Sequence, residues 1–252
     1  MPEKEPAISS WCDKLASVPT VGLHHAHRYM SSSTVLDRLS SLLGEMEEPK
    51  VSRQDALTLT IEDEAGYVLS VSPTRTTVGF QHQIKVKNTS GNANPTVQML
   101  TEPRPFTQLF EEVSSWLMRI VHALDTKASG VVERVGIVSV TNLDDDDCPP
   151  GIKMLLEYLG RPWGEPLGHG YSVTMTNPLA KTDKFADRCI HTLQKSEEED
   201  ALMLARFDWQ RVYDEPRSVR GLDDMLTTCR HGALQYFEDL AEGKHVNAIY
   251  NR

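Results

Sequence analysis

The sequence predicts an α+β protein made of two similar halves, each with the order β-α-β-β-β-α and an antiparallel sheet covered by a long C-terminal helix. Two amphipathic stretches share one apolar register, the first from Phe106 to Leu124 and the second from Leu222 to Leu240. In both, apolar residues recur at i, i+3, i+4, i+7, i+11, i+14, i+15 and i+18, which is one face of a helix of about five turns. Alternating apolar runs before each helix predict strands.

The first half is predicted over residues 18–126, after an N-terminal tail of residues 1–17. It begins with a strand in residues 21–29 and continues with a helix whose apolar stripe runs from Val35 to Met46, capped by Ser33 or Thr34. Alternation then predicts strands at residues 57–61, 67–71 and 78–86, and a polar loop at residues 88–95 precedes the long helix.

The second half, residues 130–245, repeats this order. Residues 131–141 carry apolar side chains on both faces of the predicted strand, which indicates a central strand buried on both sides. A short helix opened by Pro149 and Pro150 is followed by predicted strands at residues 171–176, 188–194 and 201–213, and Gly243 is the expected stop of the last helix. The halves are expected to join edge to edge or face to face. This order is similar to the duplicated saddle of TATA-binding proteins, an analogy of fold that transfers no function.

Composition indicates which ligands and which cellular location to expect. The formal net charge of −10 works against non-specific binding to nucleic acid or anionic lipid, so nucleic acid is not expected as a direct non-specific ligand. No apolar run reaches the length of about 20 residues that crosses a bilayer, and the N-terminus has no signal-peptide pattern, so we expect no membrane partner. Four scattered cysteines resemble reduced thiols, which predicts a cytoplasmic location.

Short motifs give a family resemblance. The run Glu133-Arg134-Val135-Gly136-Ile137, closing at Asn142, resembles a strand motif of a sporadically distributed bacterial family of uncharacterised proteins of about this length. The segments Phe207-Asp208-Trp209, Leu222-Asp223-Asp224 and Tyr236-Phe237-Glu238 are similar to the C-terminal part of that family. Ser139-Val140 departs from the family pattern, which has an aromatic residue and a second hydrophobe there. The resemblance implies a bacterial origin and an accessory role in a mobile or defence-type system.

Two clusters are candidates for a metal site. His25 and His27 would project to one face of a strand, as in the H-x-H chelate of metal-dependent hydrolases. The run Asp144–Asp147, with Asp144 and Asp146 as ligands beside Asn142, could hold a hard cation. The competing interpretations are exposed histidines on a polar edge strand and a solvated acidic turn at a helix N-terminus. For each cluster we favour the interpretation without a metal, so no metal or other cofactor is expected.

A loop rich in glycine and proline supplies candidate partner contacts. Arg161, Trp163 and His169 lie in it, although a tryptophan that closes the sheet edge is the alternative for Trp163. A charged pair between Arg134 and Asp208 on facing central strands is also expected. No P-loop, dinucleotide fingerprint or nucleophile elbow occurs in the sequence.

These observations predict a non-enzymatic accessory or binding protein that acts through a protein partner or through a ligand held between sheet and helices. One alternative is a metal-dependent hydrolase using His25 and His27 with Asp144–Asp147. The other is a nucleic-acid-binding regulator, which the acidic balance disfavours.

Overall fold

The computed structural model describes residues 11–15, 17–25, 30–87, 96–125, 130–144, 146–160, 170–196 and 202–246. The helices are α1 (Trp11–Lys14), α2 (Ser32–Leu43), α3 (Phe106–Leu124), α4 (Pro150–Gly160) and α5 (Leu222–Ala241). The strands are β1 (Val18–His25), β2 (Lys50–Gln54), β3 (Leu59–Glu62), β4 (Tyr67–Val71), β5 (Arg75–Phe80), β6 (Ile84–Lys87), β7 (Thr96–Met99), β8 (Val131–Leu143), β9 (Tyr171–Lys181), β10 (Phe185–Lys195) and β11 (Met203–Ser218).

Nine of these strands form a single antiparallel sheet in the order β2-β3-β4-β5-β1-β8-β11-β10-β9. The strands before α3 and those after it meet at the β1–β8 pair, where Gly22 lies opposite Gly136. The α+β class and the antiparallel sheet are therefore confirmed, and the strands on either side of α3 in the chain belong to one sheet. β8 lies between β1 and β11, which confirms its predicted central position.

The helices contact one face of this sheet. α3 lies against β1 and β5, and α5 lies against β8 and β11. Because side chains alternate along a strand, the buried residues Val21, Ile137 and Trp209 share this helix-facing side. The opposite side, which we call the open face, carries the intervening residues and no helix in the described part of the chain.

The predicted apolar stripes of both long helices are buried. Leu117 in the middle of α3 is 0% exposed, and Ala233 at the matching position of α5 is 1% exposed. Gly243 has φ of +80° just after the end of α5, as a helix-stop glycine requires. The N-cap of α2 is Ser31 and not Ser33 or Thr34, because the Ser31 Oγ accepts a hydrogen bond from the Thr34 N–H.

Two strand predictions need correction. The alternating run at residues 78–86 is two elements, because β5 ends at Phe80 and β6 pairs only with β7 outside the main sheet. Strands β7 and β2 were not predicted at all, and the exposure of β2 explains its absence from the prediction. Its five residues are exposed at the sheet edge, so they show none of the apolar alternation that marks a half-buried strand.

We expect Leu117→Ala to lower the free energy of unfolding by ~2–5 kcal/mol, because it removes a fully buried side chain and leaves a cavity. Urea denaturation followed by circular dichroism measures this change. Ser115→Ala, at an exposed position of the same helix, is the control and should alter stability by less than about 0.5 kcal/mol. A loss below about 1 kcal/mol for Leu117→Ala would contradict the buried role of this face.

His191 on β10 makes stability depend on pH. Its Nε2 lies 2.5 Å from the Tyr236 hydroxyl, and its Nδ1 has no hydrogen-bond partner among the described residues. Burial, with a smaller contribution from the charge of His245, lowers the pKa of His191 to about 4. The unfolded chain therefore binds this proton more tightly, so stability is complete above about pH 6.5 and falls as the pH drops toward 4.

The expected loss from His191 between pH 6.5 and 4 is about 3 kcal/mol. Urea denaturation at both pH values should show that His191→Gln, which keeps a polar partner for Tyr236, reduces this pH dependence. His122→Gln, at an exposed position of α3, should leave it unchanged. An identical pH dependence in the wild type and His191→Gln would show that this imidazole does not control acid stability.

Candidate functional site

The structure does not bring the predicted metal ligands together. His25 is 3% exposed on the helix-facing side, and its Nε2 lies 3.2 Å from the Thr76 hydroxyl. It lies opposite Val132 at the start of β8, whereas Asp144 follows the other end of that strand, about 40 Å away at 3.3 Å per residue. His27 lies outside the described residues. Within the described ranges, no group of three His, Cys, Asp or Glu residues could hold a metal ion.

The described members of the acidic run, Asp144, Asp146 and Asp147, lie in the turn between β8 and α4. Asp144 and Asp146 are exposed, and the Asp146 N–H donates to the Asp144 Oδ1 at 3.3 Å. The expectation of exposed histidines on an edge strand is wrong for His25, because β1 is central and this ring is buried. The candidate partner contacts Arg161, Trp163 and His169 lie outside the described residues.

A different cluster stands out on the open face. Four arginines project from four strands near the centre of the sheet, and we call them the arginine cluster: Arg75 on β5, Arg134 on β8, Arg188 on β10 and Arg206 on β11. Each arginine alternates with buried residues of its strand. Because successive side chains of a strand point to opposite faces, the guanidinium groups lie on the face opposite the core. None of the four forms an ion pair with a carboxylate in the part of the chain that the structure describes.

The cluster surrounds a small depression in the sheet. Gly22 and Gly136 face each other across β1 and β8, and because neither has a side chain the backbone forms the floor. The depression has a volume of about 70 Å³. Its lining is mostly polar and includes Thr20, Thr77, three of the arginines, and the following residues: His24, Val138, Asp208 and Gln210.

A neutral acceptor positions two of the arginines. The Gln210 Oε1 accepts hydrogen bonds from the Arg134 Nη1 at 3.0 Å and from the Arg188 Nε and Nη2 at 3.0 and 2.9 Å. The Arg134 Nη2 also contacts the His24 Nε2. Two guanidinium groups are thus brought together by an uncharged amide that compensates neither of their charges.

The predicted Arg134–Asp208 pair does not form. Asp208 lies opposite Val138, four residues along β8 from Arg134, whereas Gln210 lies opposite Gly136 and is nearer to that guanidinium. Register therefore gives Arg134 an amide partner where the sequence suggested a carboxylate. By contrast, Arg211 on the helix-facing side does bind a carboxylate, with two hydrogen bonds of 2.7 Å to Asp187.

The electrostatic environment reflects this arrangement. Burial, the charge of Arg188 and that of Arg75 lower the pKa of Arg134, and Asp208 opposes them. Burial, followed by the charges of Arg134 and Arg75, lowers the pKa of His24 to about 4. His24 is therefore neutral near pH 7 and contributes a hydrogen-bonding nitrogen but no charge.

The sequence analysis missed this site although a signal was present. Arg134-x-Gly136-x-Val138 and Arg206-x-Asp208-x-Gln210 alternate with the apolar residues that predicted β8 and β11. Alternation assigns these residues to one face of each strand, but only the strand order places the two sets side by side.

Comparison with protein families and curated proteins adds no relationship. No family model matches the chain, and no curated protein matches it in sequence. Among the described residues, no helix is long and apolar enough to span a membrane.

Proposed function

We propose that this chain is a non-enzymatic binding protein that holds an acidic segment of a partner protein on its open face. The observation that carries the proposal is the arginine cluster, which gathers four guanidinium groups without carboxylate partners in a chain of net charge −10. Arginine forks bind carboxylates with two parallel hydrogen bonds, so an acidic segment matches the chemistry of this surface.

The energetics support a ligand at this position. Arg134 is partly buried and lies close enough to Arg188 and Arg75 for their charges to lower its pKa. Like charges brought together away from bulk water destabilise the protein, and an anion placed between them removes that repulsion. The shared amide oxygen of Gln210 keeps two of the guanidinium groups oriented before any ligand arrives.

A protein partner is favoured over nucleic acid. Single-stranded nucleic acids are bound by aromatic side chains that stack on bases. His24 carries the only aromatic ring on the open face of the described β-strands. The net charge of −10 also repels a long phosphate backbone more strongly than a short acidic segment.

We also infer that the two halves are repeats of one β-α-β-β-β-α unit, each with its long helix over its own strands. The first half departs from this order, because it adds β2, β6 and β7 between α2 and α3. In the sheet, β1-β5-β4-β3 and β8-β11-β10-β9 run outward from the junction in the same chain order. The contacts of α3 with β1 and β5 parallel those of α5 with β8 and β11. Such a repeat makes the junction strands equivalent and centres the binding surface between them.

The proposal includes a cytoplasmic location and a bacterial origin. The four cysteines lie within the described residues, are buried and form no disulfide, which agrees with a reducing cytoplasm. The motifs of β8 and α5 support a bacterial origin and an accessory role in a mobile or defence-type system, where a protein that binds a partner without catalysis has a use.

The test is fluorescence anisotropy with a labelled peptide in which glutamates alternate with serines. We expect the double variant Arg134→Gln/Arg188→Gln to bind about tenfold more weakly or worse, because each lost charged hydrogen bond contributes about 1.5–3 kcal/mol. Added salt should weaken wild-type binding. Arg220→Gln removes the same charge in the turn that leads into α5 and should change affinity less than about twofold.

Circular dichroism must first show that the double variant is folded. Equal affinity of the wild type and the double variant would contradict the proposal, as would an equal loss in Arg220→Gln. A mixed-sequence DNA duplex that binds more tightly than the peptide would replace the protein partner by nucleic acid.

A further inference from the structure

We propose that the depression over Gly22 and Gly136 seats a phosphate monoester, so that the partner segment carries a phosphorylated side chain. This inference rests on the proposed function and specifies the group that occupies the centre of the arginine cluster. Four features support it: the size of the depression, the directions of its donors, its charge and the absence of a stacking surface.

The size of the depression suits one compact oxyanion. A cavity of about 10–15 Å³ on this measure already holds one water molecule, so about 70 Å³ has room for an anion of a few heavy atoms. The room exists because the two glycines meet there. A Cβ on Gly136 would point onto the open face, with the Trp209 carbonyl oxygen at 3.2 Å and the Asp208 Oδ1 at 3.7 Å, and would occupy part of the floor.

The donors surround the depression. Arg75 and Arg134 lie on either side of His24 in one cross-strand row, because His24 pairs with Arg75 on β5 and with Arg134 on β8. Thr20 on β1, Thr77 on β5 and Arg206 on β11 also line the depression. A planar carboxylate offers two oxygens, whereas a phosphate monoester offers three in a tetrahedral arrangement, which matches donors that come from several directions.

The formal charge of the lining also matches. Three guanidinium groups and the carboxylate of Asp208 line the depression, and His24 is neutral near pH 7, so the lining carries a formal charge of +2. A phosphate monoester carries about −1.5 to −2 at pH 7, and a carboxylate carries one negative charge. The dianion therefore neutralises the site more completely.

The phosphate source is a protein segment and not a free nucleotide. The depression opens onto a sheet face that has no aromatic ring other than His24 among the described strands, so a base finds few aromatic side chains to stack on. Serine and threonine hydroxyls extend from the depression toward both sheet edges, on Ser70 and Thr60 in one direction and on Thr192 and Thr174 in the other. These groups suit the polar backbone of a peptide.

The experiment compares three fluorescein-labelled peptides of one sequence, with phosphoserine, glutamate or serine at the central position and alternating glutamates elsewhere. We expect the phosphoserine peptide to bind about tenfold more tightly than the glutamate peptide, which corresponds to about 1.4 kcal/mol. Gly136→Ala should reduce this ratio to about one, because the methyl group occupies the phosphate position. Gly44→Ala, at the end of α2 and far from the open face, is the matched control and should keep the ratio.

Arg75→Gln is a second variant in case Gly136→Ala does not fold, and it should reduce the same ratio. A pH series adds an independent readout, because the second phosphate pKa is about 6 and the dianion forms as the pH rises through it. The groups that face the ligand are His24, whose pKa is about 4, the carboxylate of Asp208 and the guanidinium groups of Arg75, Arg134 and Arg206. The phosphoserine peptide should therefore gain more affinity between pH 5 and pH 7 than the glutamate peptide does.

The outcomes separate the two proposals. If the phosphoserine and glutamate peptides bind equally and both depend on Arg134 and Arg188, the phosphate inference fails and the proposed function stands. If neither binds, both fail. If inorganic phosphate or adenosine monophosphate alone binds as tightly as the phosphoserine peptide, the partner segment is not the source and the inference is overturned.

Discussion

The antiparallel pairing of β1 with β8 is the contact on which the rest of the structure depends. It joins strands that precede α3 to strands that follow it, and so makes one nine-stranded sheet out of two sets. Its register sets Val21 beside Ile137 under the helices and Gly22 beside Gly136 on the open face. A shift of one residue would exchange these faces, placing glycines in the core and branched side chains over the depression.

The two faces treat charge differently. On the helix-facing side, Arg211 is fixed by the carboxylate of Asp187, which leaves it little capacity for a ligand. On the open face, the arginines are oriented by the neutral amide of Gln210 or by no described partner, so their charges remain available. Positioning without neutralisation is what an anion-binding surface requires, since a bound anion need not displace an internal carboxylate first.

The sequence predicted the elements that carry strong periodicity and missed what depends on strand order. The stripes of α3 and α5 and the alternation in β4, β10 and β11 were readable because burial imposes a period. Edge strand β2 has no buried side and left no such signal. The arginine cluster combines residues from β5, β8, β10 and β11. The spacing of residues along the sequence does not predict that these strands lie close together in the sheet. The same strand order separates His25 from Asp144, which spacing alone had allowed to combine.

The glycine pair also determines when the site comes into existence. Gly22 and Gly136 belong to strands that are far apart in the chain, and long-range pairings of this kind form slowly because a large loop must close first. During synthesis, β1 emerges from the ribosome long before β8. Until β8 is present, one edge of β1 has no hydrogen-bonded neighbour. A nascent or truncated first half therefore has no depression. Under the proposed function, binding requires the completed sheet, so a bound partner would report a fully folded chain.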